Sequence, residues 1–252
     1  MSIVVVDIGN SRLKWARIDA RGLTDIGAAR LDRASRAPLA VMDSALGVAR
    51  VDRIVAANVA GVAVAEALGN LAAARGAVLQ VVAPAATEFG VRCAYSDPKR
   101  LGADRWVAVV AAHRLIAGAA AVIDAGTTVT FDVVREDGEH LGGLIMPGPE
   151  LTALTLGANT HGIGPTAPAE RHVRGIALLG TSTNDAVANG AMLALAAGLD
   201  RAIAEVTAAL QTPLTVVLSG GFAGVLEPWL DSAVSYRPHF VLEGLAEIAA
   251  IT

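Results

Sequence analysis

An Asp-x-Gly pattern that occurs twice constrains the fold of this chain more than any other feature of its sequence. Asp7 and Gly9 form the first copy and Asp124 and Gly126 the second, each at the end of an apolar run. Residues of alternating polarity follow both glycines, so each copy predicts two antiparallel strands joined by a tight turn. Because the copies lie in corresponding halves of the chain, they favour two domains of related fold.

The chemistry of such a turn suits an anion. A carboxylate and a hydroxyl stand at the tip, and glycine allows backbone N–H groups to approach a bound group closely. Two tips that face each other across a cleft could hold a phosphate chain together with its cations. A single copy is often only a tight turn, whereas two copies, each behind a Val/Ile run, are hard to explain by chance.

Composition narrows the class of protein. The 252 residues suffice for one large domain or two modest ones. The formal net charge is −4 and no basic run occurs, which argues against nucleic acid as a partner. Lys14 and Lys99 are the only lysines, and both lie in or beside motifs, where a compact positive charge is useful. A single cysteine, Cys93, excludes an intramolecular disulfide and a cysteine zinc cluster, and we interpret it as a small buried thiol.

The sequence also bears on location. Residues 1–9 are apolar but lack a basic leader and contain Asp7, so they predict a strand and not a signal peptide. The most apolar stretch, residues 106–123, is interrupted by His113 and Arg114 and is shorter than the ~20 residues of a membrane span. We therefore expect a soluble, cytoplasmic protein without a membrane partner.

Strands and helices alternate along most of the chain, which predicts mixed sheets with crossover helices. Strands are predicted over 2–6, 12–18, 51–57, 77–82, 122–124, 128–135, 141–148 and 214–218, and helices over 62–75, 103–116, 186–210 and 243–251. Residues 23–50 carry the weakest pattern. Residues 157–175 hold four glycines, two prolines, His161 and His172, which predicts a mobile loop whose histidines are solvated and not metal ligands.

The segment that begins at Tyr95 combines polar residues with a predicted helix start. Pro98 and Gly102 bracket a loop, and Asp104 falls in the first turn of the helix, where free N–H groups and the macrodipole favour a carboxylate. Asp104 alone is explained as an N-terminal helix acid. Arg105 beside it and Tyr95 before it favour a functional site instead.

Four motifs, in this order, resemble those of one enzyme family. They are Asp7-x-Gly-Asn-Ser-x-x-Lys14, Tyr95-x-x-Pro98-x-x-Leu-Gly-Ala-Asp-Arg105, Asp124-x-Gly-Thr-Thr-x-Thr130 and Gly142-Gly-x-Ile-x-Pro-Gly148. The repeated tips, and a late strand that ends in Gly220 and Gly221, are similar to the actin/sugar-kinase/heat-shock ATPase superfamily. Within it, the Leu-Gly-Ala-Asp-Arg segment resembles type III pantothenate kinases.

The resemblance covers essentially the whole chain. It implies an α/β fold of two ribonuclease-H-like domains, the actin-like ATPase fold, at residues 1–117 and 118–252. It also implies ATP-dependent phosphorylation of pantothenate to 4'-phosphopantothenate, the first step of coenzyme A biosynthesis, by a homodimer. The Ala-rich helices at 103–117 and 186–210 offer surfaces on which two copies could pack.

The resemblance implies a role for each matching residue. Residues of the first phosphate loop would be Asp7, Gly9, Asn10, Ser11 and Lys14, with Asp7 holding Mg²⁺ through water, and Thr127 would contact the ATP phosphates from the second loop. Residues that bind pantothenate would be Tyr95, Gly102, Ala103, Asp104, Arg105 and Thr183, with Asp104 also the catalytic proton acceptor. Asp124 would hold a monovalent cation, K⁺ or NH₄⁺. Ser11 replaces the more usual Thr and keeps the hydroxyl, and Asp97 stands where Asn commonly precedes the proline.

Two other functions remain open. The first is another small-molecule kinase of the superfamily, although the repressor-type sugar kinases usually carry a cysteine-rich zinc motif that one cysteine cannot form. The second is a non-catalytic, nucleotide-binding regulatory accessory protein. Lys14, Asp104 and Arg105 argue against the second, because a protein that only binds ATP has no use for an acid at the acceptor site.

Overall fold

The structure is a computed structural model and describes residues 2–31, 37–164, 173 and 175–252. The chain folds into two compact units. The first unit comprises Met1–Leu115, Asp137–His140 and His239–Thr252, and the second comprises Ile116–Glu136 and Leu141–Pro238. The boundary expected between residues 117 and 118 adjoins the first of these transitions, and two later segments return to the first unit.

A five-stranded sheet organises the first unit. Its elements are β1 (Ile3–Ile8), β2 (Arg12–Asp19), β3 (Gly22–Arg30), α1 (Ala37–Leu46), β4 (Arg53–Asn58), α2 (Val62–Ala74) and β5 (Val78–Val81). The strand order is β3-β2-β1-β4-β5, with β1, β2 and β3 antiparallel to one another in turn and β4 and β5 parallel to β1. The short hairpin of β6 (Thr87–Glu88) and β7 (Val91–Arg92) follows, and then helix α3 (Ala103–Leu115).

A second five-stranded sheet organises the second unit. Its elements are β8 (Ala119–Ala125), β9 (Thr128–Val134), β10 (His140–Pro147), α4 (Pro149–Asn159), α5 (Thr183–Leu210), β11 (Leu214–Ser219), α6 (Ala223–Leu226) and β12 (Ser235–Tyr236), and the chain ends in α7 (Phe240–Ile251). The order β10-β9-β8-β11-β12, with β9 antiparallel and β11 parallel to β8, repeats the order of the first sheet. The predicted internal repeat is confirmed, as is the α/β class with mixed sheets and crossover helices.

Apolar side chains cover both faces of β1, which explains its central place in the first sheet. Val4, Val6 and Ile8 belong to one buried cluster with side chains of α1 and α2. Helix α7 packs against β1, β4 and α3. At Gly244 an added Cβ would lie 2.7 Å from the carbonyl oxygen of Val107, so the backbone of α7 packs directly against the backbone of α3 at this point.

The core of the second unit lies between its sheet and α5. Met192, Leu195 and Leu199 of α5 form one buried cluster with Ile123 of β8 and Phe131 of β9. Their spacing of three and four residues puts them on one face of the helix. No helix in the described part of the chain is both long and apolar enough to cross a membrane.

The structure departs from the sequence-based prediction in three places. The weakly patterned residues 23–50 contain most of β3 and all of α1. Helix α5 begins at Thr183, three residues before its predicted start. Residues 157–159 belong to α4 and not to the predicted loop, in which His161 is exposed, while 165–172 and 174, with His172, lie outside the described residues. In addition, Cys93 is a free thiol of intermediate burial, so its interpretation as a buried thiol is wrong.

Candidate active site

The first turn of the repeat brings a carboxylate and an ammonium group together. Asp7, the second-last residue of β1, is buried, and the antiparallel register places Lys14 of β2 directly opposite. Side chains of directly opposite residues project from the same face of a sheet, with Cβ atoms about 5 Å apart. One face of the sheet therefore presents both charges beside the turn.

Backbone geometry shapes the tip of this turn. The Gly9 N–H donates to the Arg12 carbonyl oxygen at 3.0 Å and closes the turn. Asn10 and Ser11 are exposed at its tip. The turn thus presents an amide, a hydroxyl and backbone N–H groups at the end of β1, next to the Lys14 charge, which is a donor set suited to phosphate oxygens.

Asp7 suits a magnesium ion that keeps most of its water shell. Among the described residues, no group of three or more His, Cys, Asp and Glu side chains is arranged to hold a metal. Mg²⁺ bound with nucleotide phosphates needs only one or two protein carboxylates, because waters and phosphate oxygens complete its octahedron. The residues present therefore fit a water-mediated magnesium site at Asp7.

The second turn repeats this arrangement in the second sheet. Asp124 is the second-last residue of β8, opposite Thr130 of β9 and beside Ser219 of β11. The Gly126 N–H donates to the Thr128 carbonyl oxygen at 3.1 Å. Carboxylate and hydroxyl oxygens stand at neighbouring register positions, and oxygen is the ligand type that hard cations prefer. A cation site at Asp124 fits this donor set.

Two glycines are required beside the second turn. Gly220 has a φ of +99°, and a Cβ on it would lie 2.6 Å from the Asp124 carboxylate oxygen Oδ1. A Cβ on Gly148 would lie 2.6 Å from the Thr127 carbonyl oxygen, which accepts the Gly148 N–H at 3.1 Å. The Asp124 carboxylate and the exposed Thr127 therefore rest directly on glycine backbone.

A short 3-10 turn, Pro98–Arg100, lies within residues 95–105, which we call the acceptor segment because the family resemblance places most of the pantothenate-binding residues there. The Asp97 carboxylate caps this turn by accepting the Lys99 N–H at 3.2 Å. An Asn side chain could accept the same hydrogen bond through its carbonyl oxygen. The departure from the family pattern at Asp97 therefore preserves the cap.

Asp104 lies at the N-terminus of α3, as predicted. The Arg105 N–H donates to Asp104 Oδ1 at 2.8 Å, and the Trp106 N–H donates to the Gly102 carbonyl oxygen at 2.9 Å. A Cβ on Gly102 would lie 2.5 Å from Asp104 Oδ1. The carboxylate is thus held against the bare Cα of Gly102, half-buried, in the first turn of the helix.

Arg105, Tyr95 and His140 form a layered group in the first unit. Arg105 Nη1 donates to the Tyr95 hydroxyl oxygen at 3.0 Å, and the guanidinium carbon lies 5.8 Å from the centre of the Tyr95 ring. The Tyr95 ring stacks on His140, with ring centroids 6.3 Å apart and planes inclined by 11°. Arg105 and His140 are buried. The acceptor segment therefore ends in a fixed, buried cation.

Val59 connects the first turn with the acceptor segment. Its N–H donates to the carbonyl oxygen of Ile8, the last residue of β1, at 2.9 Å. Its Cγ1 would lie 3.7 Å from a Cβ on Gly102. The strand end that carries Asp7 and the loop that carries Asp104 therefore share one neighbour.

The structure groups the predicted residues by unit. The first unit brings together Asp7 with Lys14, and Tyr95 with Arg105, and it holds Gly9, Asn10, Ser11, Gly102, Ala103 and Asp104. The second unit holds Asp124, Thr127 and Thr183. Thr183 is the exposed first residue of α5, behind the N-cap Ser182, which accepts the Asp185 N–H at 3.1 Å.

Sequence reasoning missed His140. It follows the Asp137–Gly138 turn in the second half of the sequence, and nothing in its spacing connects it with Tyr95. A histidine at the start of an otherwise apolar and Gly-rich strand is a weak signal that could have drawn attention to it.

The fold and these turns define a structural class: two units with mixed five-stranded sheets, the actin-like ATPase fold. A Campylobacter jejuni protein assigned to the Baf family of transcriptional activators has a TM-score of 0.60 at 20% identity over 98% of each chain. A Sinorhizobium meliloti protein described as a 2-dehydro-3-deoxygalactonokinase has a TM-score of 0.60 at 18% identity over 99% of each chain. At these identities the likeness concerns the fold alone.

The particular family follows from the sequence. The chain belongs to the type III pantothenate kinase family, whose model matches residues 3–205. It is 36% identical to the type III pantothenate kinase of Nitrosococcus oceani, over 99% of this chain and 94% of the relative. It is 37% identical to that of Alkalilimnicola ehrlichii, over 98% of this chain and 97% of the relative. The resemblance drawn from the four motifs is confirmed.

Proposed function

We propose that this chain transfers the terminal phosphoryl group of ATP to the primary hydroxyl of pantothenate, giving 4'-phosphopantothenate in the first step of coenzyme A biosynthesis. Family membership supports the reaction. The observation that carries the proposal at atomic level is the shared neighbour Val59, which adjoins both the Asp7 strand end and the Asp104 loop. A phosphate-binding turn and an acceptor-side acid in one unit are what an in-line transfer to an alcohol requires.

On the phosphate side, Lys14 and the turn after β1 supply positive charge and donors. Lys14 neutralises phosphate oxygens, and Gly9, Asn10 and Ser11 offer N–H and side-chain donors. Thr127 contributes a hydroxyl from the second turn. Asp7 would hold Mg²⁺ through water, and the ion would supply positive charge beside the phosphate oxygens.

On the acceptor side, Asp104 orients the hydroxyl of pantothenate and accepts its proton. An alcohol is far less acidic than a carboxylic acid, so the proton moves late, as the bond to phosphorus forms. Arg105 binds the carboxylate of pantothenate, since its planar fork of N–H donors matches a carboxylate. Tyr95, Gly102, Ala103 and Thr183 complete the pantothenate site.

Asp124 holds a monovalent cation, K⁺ or NH₄⁺, in this proposal. Support comes from the oxygen donors that neighbour it in register and from its position one residue from the end of β8, which matches that of Asp7 in β1. A monovalent ion beside a phosphate site offsets anionic repulsion without displacing Mg²⁺.

We also propose that two copies of the chain associate through the second unit and act in the cytoplasm, where ATP is supplied. Exposed apolar side chains on β10, α4 and α5 support this association: Leu144, Ile145, Leu154 and Leu193. Residues 105–112 of α3 are buried in the structure, so the support rests on the second unit and not on α3.

The substrate assignment is tested by coupled ADP release with pantothenate, glucose and acetate in turn, each with K⁺ and with Na⁺ as the only monovalent cation. We expect turnover with pantothenate alone and only when K⁺ is present. Turnover with glucose or acetate in place of pantothenate would assign another kinase of the superfamily. ATP binding without turnover on any of the three would indicate the regulatory alternative, and equal rates in Na⁺ would refute the K⁺ site.

A further inference from the structure

His140 lies outside the proposed catalytic machinery, yet it is among the most deeply buried polar residues that the structure describes. Its exposed fraction is 1%. The turn before it belongs to the first unit, although the strands on either side of Asp137–His140 belong to the sheet of the second. A segment from the second half of the sequence therefore packs against the acceptor segment.

Backbone contacts join the segment Asp137–His140 to β7, the strand that precedes Tyr95. The Arg92 N–H donates to the Gly138 carbonyl oxygen at 2.9 Å, and Arg92 forms a β-bridge with Glu139. Gly138 has a φ of +83° and packs so closely on the Gly90 carbonyl that a Cβ would overlap it. His140 and Tyr95 thus stand a few residues beyond one shared backbone contact, which sets the distance between them.

The contact between the two side chains is mainly a ring stack. Nearly parallel rings with centroids 6.3 Å apart lie in the range of offset aromatic pairs. The Ala94 N–H also donates to His140 Nδ1, but at 3.5 Å this hydrogen bond is weak. His140 therefore limits movement of the Tyr95 side chain chiefly by its shape.

The position of the Tyr95 side chain matters because Arg105 contacts both its hydroxyl and its ring. The Tyr95 hydroxyl accepts from Arg105 Nη1 at 3.0 Å, and the ring faces the guanidinium carbon at 5.8 Å. A Tyr95 side chain that swung away from His140 about its Cα–Cβ bond would carry its hydroxyl with it and release the guanidinium from one of its contacts. Carboxylate binding by Arg depends on a fixed fork, so such a release weakens it.

We infer that His140 is a positioning residue for the acid end of the acceptor: its ring holds Tyr95, and Tyr95 in turn holds Arg105 in the orientation that binds a carboxylate. This inference rests on the proposed function, since it assumes an acceptor with a carboxylate. It assigns to His140 an effect on the KM for that acceptor and none on the phosphate side.

The test compares His140→Leu, which fills the site without a ring, with His140→Phe, which keeps the ring and loses Nδ1. Steady-state kinetics use the full-length protein with ATP and either pantothenate or pantothenyl alcohol, its neutral analogue. For His140→Leu we expect the KM for pantothenate to rise about fivefold to tenfold, the change that loss of an aromatic pair predicts. We expect kcat, the KM for ATP and the KM for pantothenyl alcohol to stay at wild-type values, and His140→Phe to match the wild type in all four.

Several results would overturn the inference. An unchanged KM for pantothenate in His140→Leu would do so, as would an equal rise in His140→Phe or an equal rise with pantothenyl alcohol. A His140→Leu variant that does not fold, beside a folded His140→Phe whose KM for pantothenate is raised, would also refute it. Failure of the wild type to phosphorylate pantothenate would instead overturn the proposed function, and the inference with it.

Discussion

At the scale of single residues, the position of the Asp104 carboxylate depends on Gly102 having no side chain. A Cβ there would lie 2.5 Å from Asp104 Oδ1, which is closer than non-bonded atoms approach, so either the carboxylate or the backbone must move. We expect Gly102→Ala to displace the carboxylate and to lower kcat about 10²-fold, the cost of misplacing a positioned group by ~1 Å. Steady-state kinetics measure the change.

Gly190→Ala is the matched control for that variant. Gly190 is exposed in α5, and a Cβ on it would meet nothing within 4 Å. This substitution should leave kcat unchanged and raise the melting temperature, because alanine stabilises a helix interior by about 1 kcal/mol relative to glycine. Wild-type kcat in Gly102→Ala would show that the Asp104 carboxylate is not the group whose position matters.

Asp104→Asn separates the two interpretations of this acid. The amide oxygen can still accept the Arg105 N–H, so the fold is retained, but proton acceptance is lost. We expect kcat to fall by on the order of 10²–10⁴ while the KM for ATP stays near wild type. Asp97→Asn, in the same segment and able to keep its cap, should turn over normally.

The competing interpretation predicts a different pair of measurements. If Asp104 only complements the helix dipole, Asp104→Asn lowers stability by about 0.3–1 kcal/mol and leaves turnover intact. Kinetics together with a thermal melt distinguish the cases. Near-normal kcat with a lowered melting point would remove the catalytic role from Asp104.

The residues of the candidate site were predictable from sequence where chemistry and local spacing coincide. Asp7, Asp124 and Asp104 stand at a strand end or a helix start, and the structure has them there. His140 was not predictable, because its contact with Tyr95 is made between segments that are far apart in the chain. Local pattern carries no information on a ring stack of that kind.

At the scale of secondary structure, the strands and helices with long apolar runs were predictable from the sequence. The exposed edge strand β3 was not. Strands β1, β4, β8 and β11 each contain a run of at least three consecutive Val, Ile, Leu or Ala residues, and most of these residues are buried. Strand β3 is an edge strand with mostly exposed or half-buried residues, and its pairing with β2 is irregular near Trp15. Few buried positions leave few apolar residues, which explains why residues 23–50 looked unpatterned.

An ion cluster at the start of β1 makes one element sensitive to acid. The Asp52 carboxylate accepts the Ser2 N–H at 2.7 Å and pairs with Arg50 at 2.5 Å, and these contacts, the backbone hydrogen bond first, lower the pKa of Asp52 below its ordinary 3.8. A lowered carboxyl pKa adds stability above the ordinary value, and that stability is lost as pH falls through the folded-state value.

Asp52→Asn is therefore expected to melt below the wild type at neutral pH. The difference in melting temperature should stay constant down to about pH 5 and shrink below about pH 4, where the wild-type carboxyl also becomes neutral. Thermal melts of both proteins across this range test it. A difference that is constant or that widens in acid would contradict the role assigned to the Ser2 contact.

At the scale of the whole molecule, the apolar residues of the second unit predict association. Ile145 on the edge strand β10 is exposed, as are Leu154 and Leu193 on the packed helices α4 and α5. We expect light scattering at micromolar concentration to give twice the chain mass of 25.6 kDa. Ile145→Glu should reduce that mass, whereas Val78→Glu, an exposed position of the first unit, should not. A monomer mass for the wild type would refute the dimer.

The two-unit organisation was predictable from the Asp-x-Gly repeat, because each copy marks the first strand of its own sheet. What lies outside the reach of that pattern is the return of Asp137–His140 and His239–Thr252 to the first unit. Such returns depend on which surface a segment covers after folding. Local periodicity shows that a segment has an apolar face. It does not show which surface of the folded protein that face covers.

The place of α7 has a consequence for synthesis of the protein on the ribosome. Domains generally fold as they emerge, the N-terminal one first. Here β1 and α3 are made early, yet the helix that packs on them, with Phe240, Leu245 and Ile248 fully buried, is translated only after the strands and helices of the second unit. The nascent first unit therefore keeps an apolar face uncovered until α7 has left the ribosome, and such an exposed face is prone to aggregation during that interval.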